Sequence, residues 1–391
     1  MVSQVRGGTA ARAVARSFGV ALSVVQYWLR RAQKDRLDRV CWDDRPVGCR
    51  TPANRSSAGM EDRVLELRKH LRETSALGEY GAAAIHAELV RLGAKRVPAL
   101  RTIARILERR GALDGQRRTR RPAPPRGWYL PGQASGRKGL VVQAVELDSF
   151  DIVEDLVIEG GADVNVLTAI SLHGGLCAAW PERQITAKIT VAALIEHWRA
   201  CGLPRYAKFD NDTVFQGAHQ FADAFGRVTR LCLSLGVTPV FAPPRETGFQ
   251  ADIESFNGRW QRGVWRRFKF ADLTGVQRQS QQFIAAVRAK AAPRIDGAPT
   301  RRPFPKRWHL DLQTPLQGLV LFLRRSNDQG EISILGHTYL ASTAWCHRLV
   351  RAEVDLSQGA IRIHSLRRRE PHHHPLLKTH PYQTPKKRFV E

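Results

Sequence analysis

The residues best placed to do chemistry in this chain are acids at strand ends and on the flank of a helix. Asp148 closes a strand in the stretch Val145-Glu146-Leu147-Asp148-Ser149-Phe150-Asp151. Val145 and Leu147 turn to one face of that strand, so Glu146 and Asp148 share the other, and position alone does not choose between them. Asp210 follows a second short strand in Lys208-Phe209-Asp210-Asn211-Asp212. A carboxylate at the C-terminal end of a strand lies where open α/β sheets carry their sites. Glu254 stands in Gln250-Ala251-Asp252-Ile253-Glu254-Ser255-Phe256-Asn257-Gly258-Arg259-Trp260. At about 100° per residue, Ile253, Phe256, Trp260 and Val264 form an apolar stripe that excludes Glu254. Gln261 lies almost above Glu254 two turns on, with Asn257 and Arg262 on either side. The carboxylate therefore projects from an anchored helix beside hydrogen-bonding and cationic groups suited to nucleic acid. Taken singly, each acid has an ordinary explanation as a strand-end aspartate, an Asp-Asn turn or a helix-start glutamate favoured by the dipole.

The elements that must position these acids follow from the apolar pattern between about 140 and 300. Strands are expected at 140–147, 163–171 and 176–180, then a helix at 190–201 and a strand at 206–209. A helix at 220–235 and a strand at 238–241 come next, before the helix that begins near Ala251. The order βββαβαβα describes a sheet with helices on its faces.

In order, spacing and context, the three acids resemble the catalytic core of DDE transposases and retroviral-type integrases, over 140 to about 270. Asp210-Asn211 with Phe215 is similar to that family's second-acid motif, Asp-Asn-Gly-x-x-Phe. Glu254-Ser255-Phe256-Asn257 is similar to its third-acid helix, a Glu followed three residues later by Asn. Glu246 is nearer to Asp210, but it sits in the loop after Pro243-Pro244, without the Asn or the amphipathic helix. The resemblance implies an RNase H-like fold with Asp148, Asp210 and Glu254 as catalytic metal ligands. It implies two Mg²⁺ ions, with Mn²⁺ able to substitute, because the donors are hard oxygens and no thiolate is offered. Two such ions can activate an attacking oxygen and stabilise a leaving one in a displacement at phosphorus. Water would nick a transposon end, and the exposed 3′-hydroxyl would join that end to target DNA.

Two modules precede this core. In the first, at 1–50, Thr9 is expected to cap a helix over 10–18, Gly19 to make a turn, and a second helix to carry Val25 and Leu29 inward. Val14 and Val20 complete the apolar seam. Ser23, Gln26, Tyr27, Arg30 and Arg31 are left outward for groove and phosphate contacts, as in a helix-turn-helix. In the second, at 58–112, helices are expected from Met60, over 81–92 and after Pro98. Leu100, Ile103, Ile106 and Leu107 lie on one side of the third helix, and Arg101, Thr102 and Arg105 on another. A plain helical hairpin and a three-helix bundle are the simpler alternatives to tandem helix-turn-helix modules. Residues 113–139 read as a basic, proline-rich linker in which Arg117, Arg118, Arg120 and Arg121 can track phosphates.

After the core at 140–300, apolar runs at 319–323, 331–335, 349–354 and 361–363 suggest a small β-barrel at 315–366. A basic tail follows at 367–391, in which His372, His373 and His374 are expected to be solvated or phosphate-facing rather than metal-binding. The series of modules resembles bacterial insertion-sequence transposases. The expected fold class is therefore multidomain: N-terminal all-α helix-turn-helix modules, an α/β RNase H-like catalytic core and a C-terminal small β-barrel.

Composition agrees with a polyanionic partner. The 391 residues carry 62 Lys and Arg against 36 Asp and Glu, a net charge of +26, while 43% hydrophobic content is enough for packed cores. No apolar run approaches a membrane span, and the six cysteines include no CxxC pair. The resemblance implies a cytoplasmic, nucleoid-associated DNA transposase acting on double-stranded transposon ends and target DNA as a homo-oligomer. The rivals are a non-catalytic DNA-binding regulator or transposase relic, and an RNase H-like nuclease without strand transfer.

Overall fold

The computed structural model describes residues 1–43, 55–113, 127–131, 146–217, 221–246, 248–371, 373–383 and 389. The chain divides into two compact units, Met1–Ser57 and Ala58–Glu391.

The first unit has three helices, α1 (Val2–Arg6), α2 (Ala11–Ser17) and α3 (Leu22–Ala32). Val14, Ala15 and Val25 are buried between them, with Val5, Val20 and Leu29 packed alongside. Gly19 turns the chain between α2 and α3 at φ +63°, where a Cβ would be strained. Two features depart from expectation. The cap of α2 is Ala10, not Thr9, and no side chain bonds to the helix start. A helix, α1, also precedes the pair, and Arg6 at its end donates to the carbonyls of Ala32, Gln33 and Asp35, tying it to the end of α3. Ser23, Gln26, Tyr27 and Arg30 are exposed on α3.

The second unit opens with α4 (Ala58–Thr74), α5 (Ala82–Arg91) and α6 (Leu100–Arg109) around Val64, Leu67, Ile85, Leu89, Ile103, Ile106 and Leu107. Leu100 is a correction: as the first residue of α6 it precedes the buried turn and is 49% exposed. Arg101 and Arg105 are exposed and Thr102 is half-buried. Buried Glu61 receives Arg109 and Arg110, closing α4 onto the end of α6.

The large sheet contains β1 (Leu147–Val157), β2 (Asp163–Ser171), β3 (Cys177–Glu182), β4 (Tyr206–Phe209) and β5 (Thr238–Phe241). β1, β2 and β3 form an antiparallel meander, while β4 and β5 run parallel to β1. α7 (Ala187–Cys201), α8 (Thr213–Gln216) and α9 (Arg227–Ser234) connect these strands, and α10 (Ala251–Trp260) follows β5. α10 runs directly into a π-helical turn, Gln261–Trp265, and α11 (Leu273–Asp296) comes next. The expected βββαβαβα order holds except between β4 and β5, where two short helices, α8 and α9, stand in place of one helix at 220–235. β1 runs on from Leu147 to Val157, past the end of the expected 140–147 strand, of which 140–145 lie outside the described residues.

The expected C-terminal barrel does not stand apart. Over that range lie β6 (Leu319–Arg325), β7 (Glu331–Ile334), β8 (His337–Leu340), β9 (Leu349–Asp355) and β10 (Ala360–Ser365), and β11 (Leu376–Pro381) follows within the expected basic tail. Four of them extend the sheet into nine strands, β11-β10-β9-β6-β5-β4-β1-β2-β3, and β7 and β8 form a separate hairpin. The reason is that β5 would otherwise be an unpaired edge. β6 pairs with it in parallel, and its residues Val320 and Phe322 join the core of the sheet.

Part of the expected linker is also folded. Trp128, Tyr129 and Leu130 are buried, and both aromatic rings lie against Phe249. Arg351, itself buried and paired with Glu353, donates to the Tyr129 carbonyl. Trp128→Ala is expected to cost about 3–5 kcal/mol, read as a lowered melting temperature. Arg117, Arg118, Arg120 and Arg121 lie outside the described residues.

Candidate active site

The site is set by the register of β1 against its neighbours. β1 pairs in parallel with β4 through Asp148 opposite Ala207 and Ser149 opposite Lys208. Continuing that register by two residues puts Asp151 beside Asp210, just past the end of β4. On its other side, Asp151 is directly opposite Thr168 of β2. Side chains alternate along a strand, so Asp148 and Asp151, three residues apart, face opposite sides of the sheet.

This alternation changes the first acid. Asp148 is completely buried on the α7 side, where Trp198 Nε1 donates to Oδ2 at 3.1 Å and Arg301 Nη2 donates to Oδ1 at 2.5 Å. Arg301 also reaches Glu146 at 2.6 Å, so the two acids that share that face are claimed by one guanidinium. The imidazole of His197 lies 3.7 Å from Asp148. Burial lowers the His197 pKa to about 4, so it is neutral near pH 7 and adds no second cation. Asp148 is thus occupied in a buried ion pair and does not meet Asp210 or Glu254.

Asp151 does. Burial pushes its carboxyl up to about 7, and the charges of Asp210 and Glu254 push in the same direction. The Asp210 carboxyl is also raised, first by burial, with Asp212 and Glu154 adding to it and the Asp212 amide opposing. The Asp151 carboxyl is thus buried within reach of the charges of Asp210 and Glu254.

Asn257 fixes the third acid relative to the first. Its Nδ2 donates to Asp151 Oδ2 at 2.7 Å, and its Oδ1 accepts from Thr168 Oγ1 at 2.7 Å. The Thr168 hydroxyl also contacts the Asp151 carbonyl at 3.1 Å. α10 is therefore pinned to β1 and β2 one turn after Glu254, which is exposed. Below, Ile253, Phe256, Trp260 and Val264 are buried as one apolar stripe. Asn257 was expected to face DNA; it is buried instead, because its amide completes this network. Arg262 is exposed. Asn257→Leu keeps the approximate size but leaves Thr168 and Asp151 without their partner. A 10- to 100-fold loss of activity is expected, with little change in duplex affinity.

Asp212 suits its turn. It has φ −61° and ψ 146°, a conformation open to any residue, and its Oδ1 accepts from the Val214 amide at 2.7 Å to cap α8. Its own amide donates to Asp210 Oδ1 at 3.0 Å, orienting that carboxylate. Asn211 donates to the Ala242 carbonyl at 2.6 Å and accepts from buried Arg324 at 2.9 Å, which holds the Asp210 turn to the end of β5. Glu246 is paired with Arg325 and lies 4.0 Å from Arg368, so it is engaged elsewhere.

Lys208 was not singled out from the sequence. It is 1% exposed, donates to the Phe249 carbonyl at 2.6 Å, and lies 5.8 Å from the centre of the Tyr129 ring. Burial lowers its pKa to about 8, opposed by the charges of Asp252, Glu254 and Asp151. The available signal was a lysine inside the buried run Tyr206-Ala207-Lys208-Phe209, where an unpaired ammonium is costly.

The donors that Asp151, Asp210 and Glu254 offer are hard carboxylate oxygens, which suit a divalent cation. Among the described residues, no three His, Cys, Asp or Glu side chains are already drawn into a metal cage. Bringing Asp151, Asp210 and Glu254 onto a cation would offset the burial and the neighbouring charges that raise Asp151.

No family model and no curated protein matches the sequence. Among solved structures, the chain is similar to a chain of the simian T-cell lymphotropic virus intasome in complex with a PP2A regulatory subunit, at 13% identity. That match has a TM-score of 0.33 and covers 72% of this chain and 88% of the other. The catalytic core domain of BIV integrase matches at 15% identity and a TM-score of 0.27, over 36% of this chain and 81% of that one. The HTLV-2 integrase catalytic core in complex with magnesium matches at 10% identity and 0.26, over 34% and 81%. Likenesses this slight assign neither a family nor an activity, so the placement of the acids has to carry the reading. No helix among the described residues is long and apolar enough to cross a membrane.

Proposed function

We propose that this protein is a DDE-type polynucleotidyl transferase, a DNA transposase whose catalytic acids are Asp151, Asp210 and Glu254. The observation that carries the proposal is the placement of Asp151, in register beside Asp210 and fixed to the Glu254 helix by Asn257, where burial first and the charges of Asp210 and Glu254 after it raise its carboxyl. The sheet order β3-β2-β1-β4-β5, with acids on β1, after β4 and on the helix after β5, is the RNase H-like arrangement expected for such a core. A chain that only bound DNA would gain nothing from three acids held where they repel phosphate and one another.

Asp151, Asp210 and Glu254 would hold the divalent ions, Mg²⁺ or Mn²⁺, whose chemistry is to activate the attacking oxygen and stabilise the leaving oxygen. The protein's own contribution is position. The Asp212 amide and the Asn211–Arg324 pair set Asp210, and Asn257 sets Asp151 and, through α10, Glu254. Exposed Ser23, Gln26, Tyr27 and Arg30 on α3, and Arg101 and Arg105 with half-buried Thr102 on α6, are assigned to duplex DNA through helix-turn-helix contacts. Assembly as a homo-oligomer on DNA belongs to the same reading, since two element ends must be joined together.

The test is incubation of the full-length protein with labelled duplexes from the ends of its element, with Mg²⁺ or Mn²⁺. Nicking at the element boundary followed by transfer of the 3′-hydroxyl to a second duplex is the expected result. Binding without any strand scission under either ion would reject the enzyme in favour of a regulator or relic.

A further inference from the structure

The three-helix group α4–α6 is not a free appendage of the catalytic sheet. The turn between α4 and α5 docks onto the π-helical turn after α10 and onto α11. Gly78 and Gly263 make that approach possible: a Cβ on Gly78 would lie 3.3 Å from the Gly263 Cα, and one on Gly263 would meet the Phe283 ring at 2.5 Å. Arg267 donates to the carbonyls of Glu73 and Ser75, and Lys290 pairs with Glu79, fixing the junction.

Two adjoining clefts of about 530 and 770 Å³ open along this junction. Arg72, Arg259, Arg262, Arg266, Lys290 and Arg294 line them, and among the described residues Glu79 is the sole acid in either lining. Glu79 is already paired with Lys290, while Arg72, Arg259, Arg262 and Arg294 have no hydrogen bond or ion pair with the described residues. Arg259 and Arg294 also line a smaller polar cavity beside Asp252 and Ser255, the residues on either side of Ile253-Glu254. The basic surface thus continues from the start of α10 to the α4–α5 turn. An excess of unpaired guanidinium groups in an open cleft suits a polyanion, and guanidinium forks match phosphate oxygens.

We infer that this composite cleft binds the phosphodiester backbone of duplex DNA as it passes between α4–α6 and the catalytic acids. The inference rests on the proposed function for its choice of DNA. From Glu254 to Arg262 the helix rises roughly 12 Å at 1.5 Å per residue. At 3.4 Å per base pair, the contacts are therefore expected on phosphates about three to four pairs from the reacting one.

The test compares full-length wild-type protein with the triple variant Arg259→Gln/Arg262→Gln/Arg294→Gln. A control variant, Arg183→Gln/Lys188→Gln/Lys306→Gln, removes the same charge from exposed positions elsewhere. The probe is a fluorescently labelled 40-base-pair duplex of arbitrary sequence, titrated at several salt concentrations. The cleft variant is expected to lose about 2–3 from the slope of log K against log salt, nearly one per phosphate contact removed, and the control less than one. The Arg→Lys version of the triple variant, which keeps the charges, is expected to recover most of the slope. Equal slopes for the cleft and control variants would overturn the inference. Cleavage by the wild type serves as a separate readout. A protein that never cuts but shows the expected slopes has the cleft without the proposed function. One that cuts normally while the cleft variant matches the control keeps the function and loses the cleft.

Discussion

Asp151→Asn is expected to reduce strand cleavage and joining by roughly a thousandfold or more, while duplex affinity stays the same or rises slightly. The substitution removes one negative ligand and nearly keeps its shape. Asn257 can still meet an amide oxygen at that place, and the network through Thr168 survives. One charge that repels phosphate has also gone, which accounts for the direction in binding. Asp210→Asn and Glu254→Gln are expected to behave alike, and combining them should add little once the site is dead. Asp148→Asn should differ in kind. It breaks a fully buried ion pair with Arg301 and leaves that guanidinium facing Glu146 and neutral His197, so about 3–5 kcal/mol of stability is at risk. The measurements are cleavage of labelled duplex, binding at fixed salt and thermal melting for each variant. Full cleavage by Asp151→Asn, with loss of cleavage by a normally folded Asp148→Asn, would restore Asp148 as the first acid.

The difference between these two aspartates shows what the sequence could and could not reveal. Tyr206 to Phe209, Thr238 to Phe241 and the stripe Ile253, Phe256, Trp260 and Val264 were legible because local burial patterns define them. Asp210 and Glu254 stand at positions defined by those elements, which made them legible as well. The first acid depends on where β1 starts and on its register with β4. The stretch Leu147-Asp148-Ser149-Phe150-Asp151 does not reveal this, because both faces of the strand are covered and apolar alternation is lost. A shift of three residues, an odd number, carries the choice to the other face of the sheet. The Arg301 partner, 153 residues beyond Asp148, is a long-range contact that no local pattern signals. Among the C-terminal strands, β6, β7, β9 and β10 match the expected apolar runs while β8 and β11 were not expected, and whether the runs closed into a barrel or extended the sheet turned on β5 having an open edge. Asn257 was identified as a member of the site by its spacing from Glu254, yet its burial, and so its role as a fastener rather than a DNA contact, depended on Thr168 lying opposite Asp151.

The raised Asp151 carboxyl also makes stability depend on pH in a way that divalent ions should reverse. Its value goes from 3.8 in an unperturbed chain to about 7 in the fold. A carboxyl raised in this way favours the fold fully below its unfolded value, and that contribution is lost as pH rises through the folded value. The window is therefore about pH 4 to 7. Over it the wild type is expected to lose up to about 4 kcal/mol relative to Asp151→Asn, which has no proton to lose. Without divalent ions, the variant should accordingly melt higher than the wild type at pH 8, and the gap should close toward pH 4. Mg²⁺ at a hundred times its dissociation constant adds about 2.7 kcal/mol to whichever form binds it. At pH 8 that form is the wild type with Asp151 ionised, so Mg²⁺ should raise its melting temperature and narrow the gap. Near pH 5, where Asp151 holds its proton, the same ion should do much less. The measurement is a melting temperature series from pH 4 to 8 with EDTA or Mg²⁺, for both proteins. A gap that does not change with pH would remove the crowded carboxylate from the account. A Mg²⁺ shift as large in Asp151→Asn as in the wild type would mean that the ion binds without this acid.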